Sequence, residues 1–149
     1  MKETKPGEQL SIVFERKEPP KIKIHNKARA AQINSFSGLL RVRGIYPTDI
    51  DGLIDYGGRS FVYMEGKTIT AQLKKGQKMA LENVVNSHNK AGHTSVAIIY
   101  RHNTRASEDI QVKNCFVSAV FFGGEWTKQE KKITVLQFLN RWEQKNKIL

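Results

Sequence analysis

Residues 47–67 read as two β-strands joined at Gly57-Gly58, and this hairpin limits the folds open to the chain. The chain has only 14 Asp and Glu residues among 149 and a net charge of +11. Four of its acidic residues nevertheless fall within this one segment, namely Asp49, Asp51, Asp55 and Glu65. Carboxylates gathered in an otherwise basic chain indicate a metal site that faces a polyanion.

The length of the hairpin loop decides whether the aspartates meet Glu65. Residues two apart on a strand share a face, and so do residues directly opposite each other in an antiparallel pair. A two-residue loop turns the aspartates away from Glu65. A three-residue loop over 57–59 places Asp51 opposite Glu65, whereas a loop over 56–58 places Asp49 there. Glycine supplies the left-handed conformation that such loops need, so both aspartates stay open as partners.

Glu65 and Lys67 lie two apart on the second strand and therefore point the same way. Gly66 between them leaves its backbone carbonyl open to close approach. Asp and Glu at this separation form a hard-oxygen site that suits Mg²⁺ or Mn²⁺, and such an ion activates bound water. Lys67 would position or deprotonate that water, or would offset negative charge that develops on the phosphate. Because Glu-x-Lys alone is common on surface hairpins, the prediction depends on the apolar strand before it and the helix after it.

The rest of the chain predicts an α/β (α+β) fold. The predicted elements before residue 90 are, in chain order, a helix over 25–35, strands over 39–46, 49–56 and 60–67, and a helix over 73–88. A strand over 94–100, a strand or bent pair of strands over 110–122 and a helix from Thr134 follow. The strand–helix–strand unit over 60–100 predicts a parallel pair within a mixed sheet. Residues 1–24 are predicted to be an arm, and 25–149 a single domain.

These residues resemble the PD-(D/E)XK nuclease superfamily, in which an Asp opens the second core strand and (D/E)-x-Lys ends the third. Glu65-Gly66-Lys67 matches the second of these elements. Thr-Asp-x-x-Gly over 48–52 is similar to Holliday junction resolvases of Gram-positive bacteria and favours Asp49. Ile-Asp-Gly over 50–52 is similar to Mrr-type restriction nucleases and favours Asp51, which is preferred slightly.

The resemblance implies a restriction-endonuclease-like αβββαβ core, with a mixed central sheet flanked by helices. It implies a Mg²⁺-dependent (or Mn²⁺-dependent) DNA endonuclease that hydrolyses phosphodiester bonds. Among roles in recombination, repair or phage DNA processing, the preferred function is cleavage of Holliday junctions. This function would require a homodimer, because two strands are cut. The implied metal ligands are Asp51, Glu65 and Asp49, and Lys67 is the implied catalytic lysine. Gln77 matches a glutamine that the following helix often turns toward the site.

The charge of +11 predicts a nucleic acid as the partner, because Lys and Arg displace counterions from phosphates, and the resemblance implies that this nucleic acid is DNA. The predicted DNA contacts are Arg41, Arg43, Lys74, Lys75 and Lys78. The alternative is a non-catalytic, basic nucleic-acid-binding protein on a nuclease-like scaffold. The sequence contains no apolar run typical of a membrane span or signal peptide, so a cytoplasmic, possibly phage-encoded protein without a membrane partner is expected.

Overall fold

A computed structural model of the chain describes residues 27–32, 35–45 and 47–148. The chain divides into two compact units, residues 1–39 and 40–149. In the first unit, helix α1 spans Lys27–Ala30, which is shorter than the helix expected over 25–35. The predicted arm, 1–24, and its boundary lie outside the described residues.

The second unit is built on a five-stranded mixed sheet with the strand order β1-β2-β3-β4-β5. The strands are β1 (Gly52–Asp55), β2 (Ser60–Thr68), β3 (Thr94–His102), β4 (Phe116–Phe122) and β5 (Glu125–Lys128). The helices are α2 (Lys75–Lys90) and α3 (Val135–Lys145). β2 and β3 are parallel, and the other neighbouring strands are antiparallel. The predicted α/β class with a mixed sheet is therefore confirmed.

The two helices cover opposite faces of this sheet. α2 packs Leu81 and Val85 on one face, and α3 packs Val135 and Trp142 on the other. Residues 95–100 of β3 are all buried, which explains their nearly continuous apolar sequence. The parallel pairing of β2 and β3 requires a crossover connection, and α2 supplies it.

The prediction of a strand over 39–46 is wrong over residues 39–45, which are the part of this range that the structure describes. This segment contains a short 3₁₀ turn, Val42–Gly44, in which Arg43 and Gly44 have φ values of 59° and 72°. The positive φ values reverse the chain, and the N–H of Arg41 donates to the carbonyl of Ile45 at 2.8 Å. The described chain therefore has two strands before α2, where the αβββαβ order requires three.

The C-terminal part of the unit contains a strand that the sequence did not predict. Residues 110–122 form a 3₁₀ turn, Val112–Asn114, followed by β4. Gly123 and Gly124, with φ values of 62° and 87°, then turn the chain into β5. Among the described residues, no helix is long and apolar enough to cross a membrane.

Candidate active site

The hairpin of β1 and β2 has the register that brings Asp51 opposite Glu65. Leu53 pairs with Tyr63, and continuing this antiparallel register by two residues reaches Asp51 and Glu65. The loop therefore consists of residues 57–59. It is one of the two three-residue loops that the sequence left open.

Glycines and Asp55 set this loop. Gly57 and Gly58 have φ values of 67° and 75°, a region that glycine enters without strain. The Asp55 carboxylate accepts the N–H of Gly58 at 2.6 Å. Asp55 is thus a turn residue, and its carboxylate is engaged at the loop end of the hairpin.

Three residues named from the sequence, Glu65, Lys67 and Gln77, form a closed hydrogen-bond network. Lys67 Nζ lies 2.7 Å from Glu65 Oε1, and Gln77 Nε2 donates to the same oxygen at 3.0 Å. Lys67 Nζ also donates to Gln77 Oε1 at 3.1 Å. β2 supplies the acid and the lysine on one face, and the first turn of α2 supplies the glutamine. The network holds all three side chains in defined orientations.

Glu65 is the most deeply buried acid of this group, with 3% of its surface exposed. Burial raises the pKa of its carboxyl above the usual value, and the hydrogen bond from Lys67 acts in the opposite direction. The negative charges of Asp51 and Asp49 raise this pKa further. A cation bound among these carboxylates would lower the pKa of Glu65, and so would oppose the effects of its burial and of the neighbouring negative charges.

The two aspartates approach Glu65 from different directions. Asp51 Oδ2 accepts the N–H of Gly66 at 2.8 Å. Asp49 instead lines a cleft of about 140 Å³ together with Glu65 and Gln77. The rest of the cleft wall consists of Thr48, Ile50, Ala80, Leu81 and Val84. The register of the hairpin thus favours Asp51 as the second metal-binding carboxylate beside Glu65. The shared cleft lining instead favours Asp49 in this role.

Gly66 has a packing role that differs from the one expected. A Cβ atom built on it would lie 2.7 Å from the Cε2, Cζ and hydroxyl oxygen atoms of Tyr100. Tyr100 pairs with Gly66 across β2 and β3 and is 5% exposed. Burial and then the Asp51 charge raise the pKa of Tyr100 to about 12. The missing side chain therefore makes room for a buried aromatic ring beneath the site.

Arg101 contributes to the site and was not found by sequence reasoning. It lies on β3 beside Lys67, and its guanidinium donates to the carbonyl oxygens of Thr68, at 2.9 Å, and Ala71. These contacts fix the connection that leads from β2 into α2, and hence the start of the helix that carries Gln77. The sequence signal that could have identified Arg101 is its position directly after the nearly continuous apolar run of β3.

The predicted DNA-contacting residues fall into two groups. Lys74, Lys75 and Lys78 are exposed at the start of α2, next to Gln77. Arg41 and Arg43 are also exposed, but they lie in the 3₁₀ turn region and not on the face of a strand, as had been predicted.

The described residues contain no group of three or more His, Cys, Asp or Glu side chains that could hold a metal ion. No family model, no curated protein and no solved structure matches the chain.

Proposed function

We propose that the protein is a metal-dependent DNA endonuclease in which β2, α2 and β3 correspond to the strand–helix–strand unit of a restriction-endonuclease-like core. The observation that carries this proposal is the network of Glu65, Lys67 and Gln77 in a chain of net charge +11. Glu65 and Gln77 of this network lie in the wall of a cleft, and Lys67 is bonded to both of them. Three converging polar groups beside apolar residues of α2 are typical of a binding site. A merely structural ion pair would not require the glutamine or the nearby aspartates.

The available donors fit Mg²⁺ or Mn²⁺ in chemical kind. Glu65 and one of the two aspartates, Asp51 or Asp49, would hold the ion, because the described residues bring no three acidic side chains together. Mg²⁺ commonly binds one or two carboxylates while water and phosphate oxygens complete its shell. Within the described part of the chain, both side-chain donors to Glu65 contact Oε1 and none contacts Oε2. When bound, the ion would polarise a phosphoryl oxygen and activate water.

The chain's own residues supply positioning and charge. Gln77 accepts a hydrogen bond from Lys67 and donates one to Glu65, so it orients both. The Lys67 ammonium, with 15% of the side chain exposed, would stabilise negative charge that develops on the phosphate. Lys74, Lys75 and Lys78 beside this network suit a polyanionic backbone better than a small substrate.

A cleavage assay with a lysine variant tests the proposal. Wild type, Lys67→Met and the control Lys128→Met, which changes an exposed lysine of β5, are incubated with supercoiled plasmid, linear duplex, single strands and a four-way junction. Each substrate is tested with Mg²⁺, Mn²⁺ or EDTA. We expect cutting that requires the metal, is retained by Lys128→Met and falls by about 100-fold or more in Lys67→Met. A preference for the junction would support a resolvase acting as a homodimer.

Two other outcomes would change the proposed function. Tight DNA binding without cutting of any substrate would favour the non-catalytic nucleic-acid-binding protein. Equal cutting by wild type and Lys67→Met would show that the network is structural.

Separate charge-removing substitutions distinguish the two aspartates. Asp51→Asn retains an oxygen that can accept the Gly66 N–H, so its effect reports the lost charge. Asp49→Asn removes a charge from the cleft wall. The variant whose cleavage requires the higher Mg²⁺ concentration identifies the principal ligand, and unchanged requirements in both would exclude the aspartates as ligands.

A further inference from the structure

An exposed aromatic ring lies on the same face of the sheet as the proposed site. Phe116, at the start of β4, is 47% exposed. It pairs with Arg101 of β3, which in turn pairs with Lys67 of β2. Directly paired residues share a face, and neighbouring strands are about 4.8 Å apart. The Phe116 backbone is therefore about 10 Å from that of Lys67, across two strand spacings.

Main-chain pairing holds a lysine over this ring. Lys132 Nζ lies 5.7 Å from the centroid of the Phe116 ring. On either side, Val117 N donates to the carbonyl of Ile133 at 3.0 Å, and Val135 N donates to that of Cys115 at 2.9 Å. These bonds join the start of β4 to the segment that leads into α3. Phe116 and Lys132 thus form a defined platform, in which the ammonium lies over the exposed aromatic ring.

We propose that an unpaired base of the substrate strand replaces the Lys132 ammonium over the Phe116 ring, and that the displaced ammonium contacts an adjoining phosphate. An aromatic ring beside a cation is the combination that binds single-stranded nucleic acid without sequence preference. The inference rests on the proposed nuclease function and names its substrate class. The platform would make DNA with unpaired nucleotides near the cleavage point, such as a flap, a strand end or an opened junction, the preferred substrate.

The other exposed aromatic ring of β4 provides a matched control. Phe122 is 43% exposed and lies at the opposite end of the same strand. Its ring contacts Trp142 edge-on, with centroids 5.6 Å apart. Among the described residues, no Lys or Arg lies over its ring. Removing Phe122 therefore removes similar exposed apolar surface without removing the platform.

The test is a binding measurement by fluorescence anisotropy in EDTA, with a labelled single-stranded DNA and the corresponding duplex. The proteins are wild type, Phe116→Ala, Phe116→Trp, Lys132→Gln and Phe122→Ala. We expect Phe116→Ala to weaken single-strand binding by about 10-fold and duplex binding much less. Phe116→Trp should retain single-strand affinity, Lys132→Gln should lower it, and Phe122→Ala should behave as wild type.

Unchanged single-strand affinity in Phe116→Ala, or an equal loss in Phe122→Ala, would overturn the platform. If Phe116→Ala does not fold, as judged by thermal unfolding, Lys132→Gln decides by the same criterion. The cleavage assay separates this inference from the proposed function. Single-strand binding that depends on Phe116, without metal-dependent cutting, retains the platform and rejects the nuclease. Metal-dependent cutting together with unchanged single-strand affinity in Phe116→Ala retains the nuclease and rejects the platform.

Discussion

Single residues of β2 serve the two faces of the sheet in alternation. Glu65 and Lys67 project into the proposed site, while Gly66 between them admits the Tyr100 ring on the opposite side. Three consecutive residues of β2 therefore supply two side chains of the proposed site and one close packing contact in the core. A substitution at Gly66 would disturb the charged pair through the backbone and not through direct contact.

Gly66→Ala should destabilise the fold by about 1–3 kcal/mol, because its Cβ would overlap the Tyr100 ring. Gly76→Ala, in the first turn of α2, is the matched control, since a Cβ there meets no atom within 4 Å. It should stabilise the protein by up to about 1 kcal/mol. Urea denaturation measures both changes. Equal stability of the two variants would contradict the tight contact, and Tyr100→Leu should partly rescue Gly66→Ala.

Tyr100 should make the fold sensitive to high pH. Its folded-state pKa of about 12 exceeds the usual 10.0, so the folded protein favours the neutral phenol. The resulting stabilisation is complete below pH 10 and is lost as the pH rises through 12, with a total of about 3 kcal/mol. The free energy of unfolding of wild type should therefore fall more steeply over this range than that of Tyr100→Phe. Parallel pH profiles would contradict the assigned burial.

At the scale of elements, α3 begins where its capping signal predicted. The Thr134 hydroxyl accepts the N–H of Gln137 at 3.1 Å, and the Gln137 side chain accepts the N–H of Thr134 at 2.9 Å. This reciprocal pair satisfies two main-chain donors that a helix start leaves free. The signal is local in sequence, which is why it could be read without the structure.

Thr134→Ala should cost about 1 kcal/mol of stability, because it removes the hydroxyl that accepts a main-chain donor. Thr134→Ser keeps the oxygen and should lose only a small part of this. Chemical denaturation of both variants measures the difference. A loss as large in the serine variant as in the alanine variant would show that the threonine methyl group, and not the cap, stabilises the helix.

Local sequence patterns predicted β2, α2, β3 and the start of α3. Features that depend on pairing between residues far apart in the sequence could not be predicted from such patterns. The hairpin loop could not be chosen because two adjacent glycines permit either three-residue loop, and only the pairing with β2 decides. Residues 39–45 alternate like a strand, yet the turn at Arg43 and Gly44 overrides that pattern. The nearness of Phe116 to Lys67 depends on two strand pairings and has no local signal.

At the scale of the whole molecule, the lysines that the structure describes lie at different distances from the proposed site. The start of α2 carries Lys74, Lys75 and Lys78 beside the network, and Lys90 lies at the far end of the same helix. Lys75 and Lys90 are about 22 Å apart along the helix axis. A DNA backbone bound at the site would contact the first group and not Lys90.

Lys75→Ala should weaken DNA binding and lower the slope of log affinity against log salt by about 1, because one phosphate contact is lost. Lys90→Ala should leave the slope unchanged. Affinity titrations at several salt concentrations measure both slopes. The same slope in wild type and Lys75→Ala would mean that DNA does not pass over the start of α2.

The two tryptophans of the chain stand on opposite sides of the sheet, so each can serve as an optical probe of one layer. Trp126 Nε1 donates to Glu82 of α2 at 2.7 Å, whereas Trp142 lies in α3 and donates to the Ser60 hydroxyl at 3.2 Å. Single-tryptophan variants would report separately on the release of each helix. Coincident fluorescence transitions would mean that both layers unfold as one cooperative unit. Separate transitions would mean that the sheet keeps one helix after it has released the other.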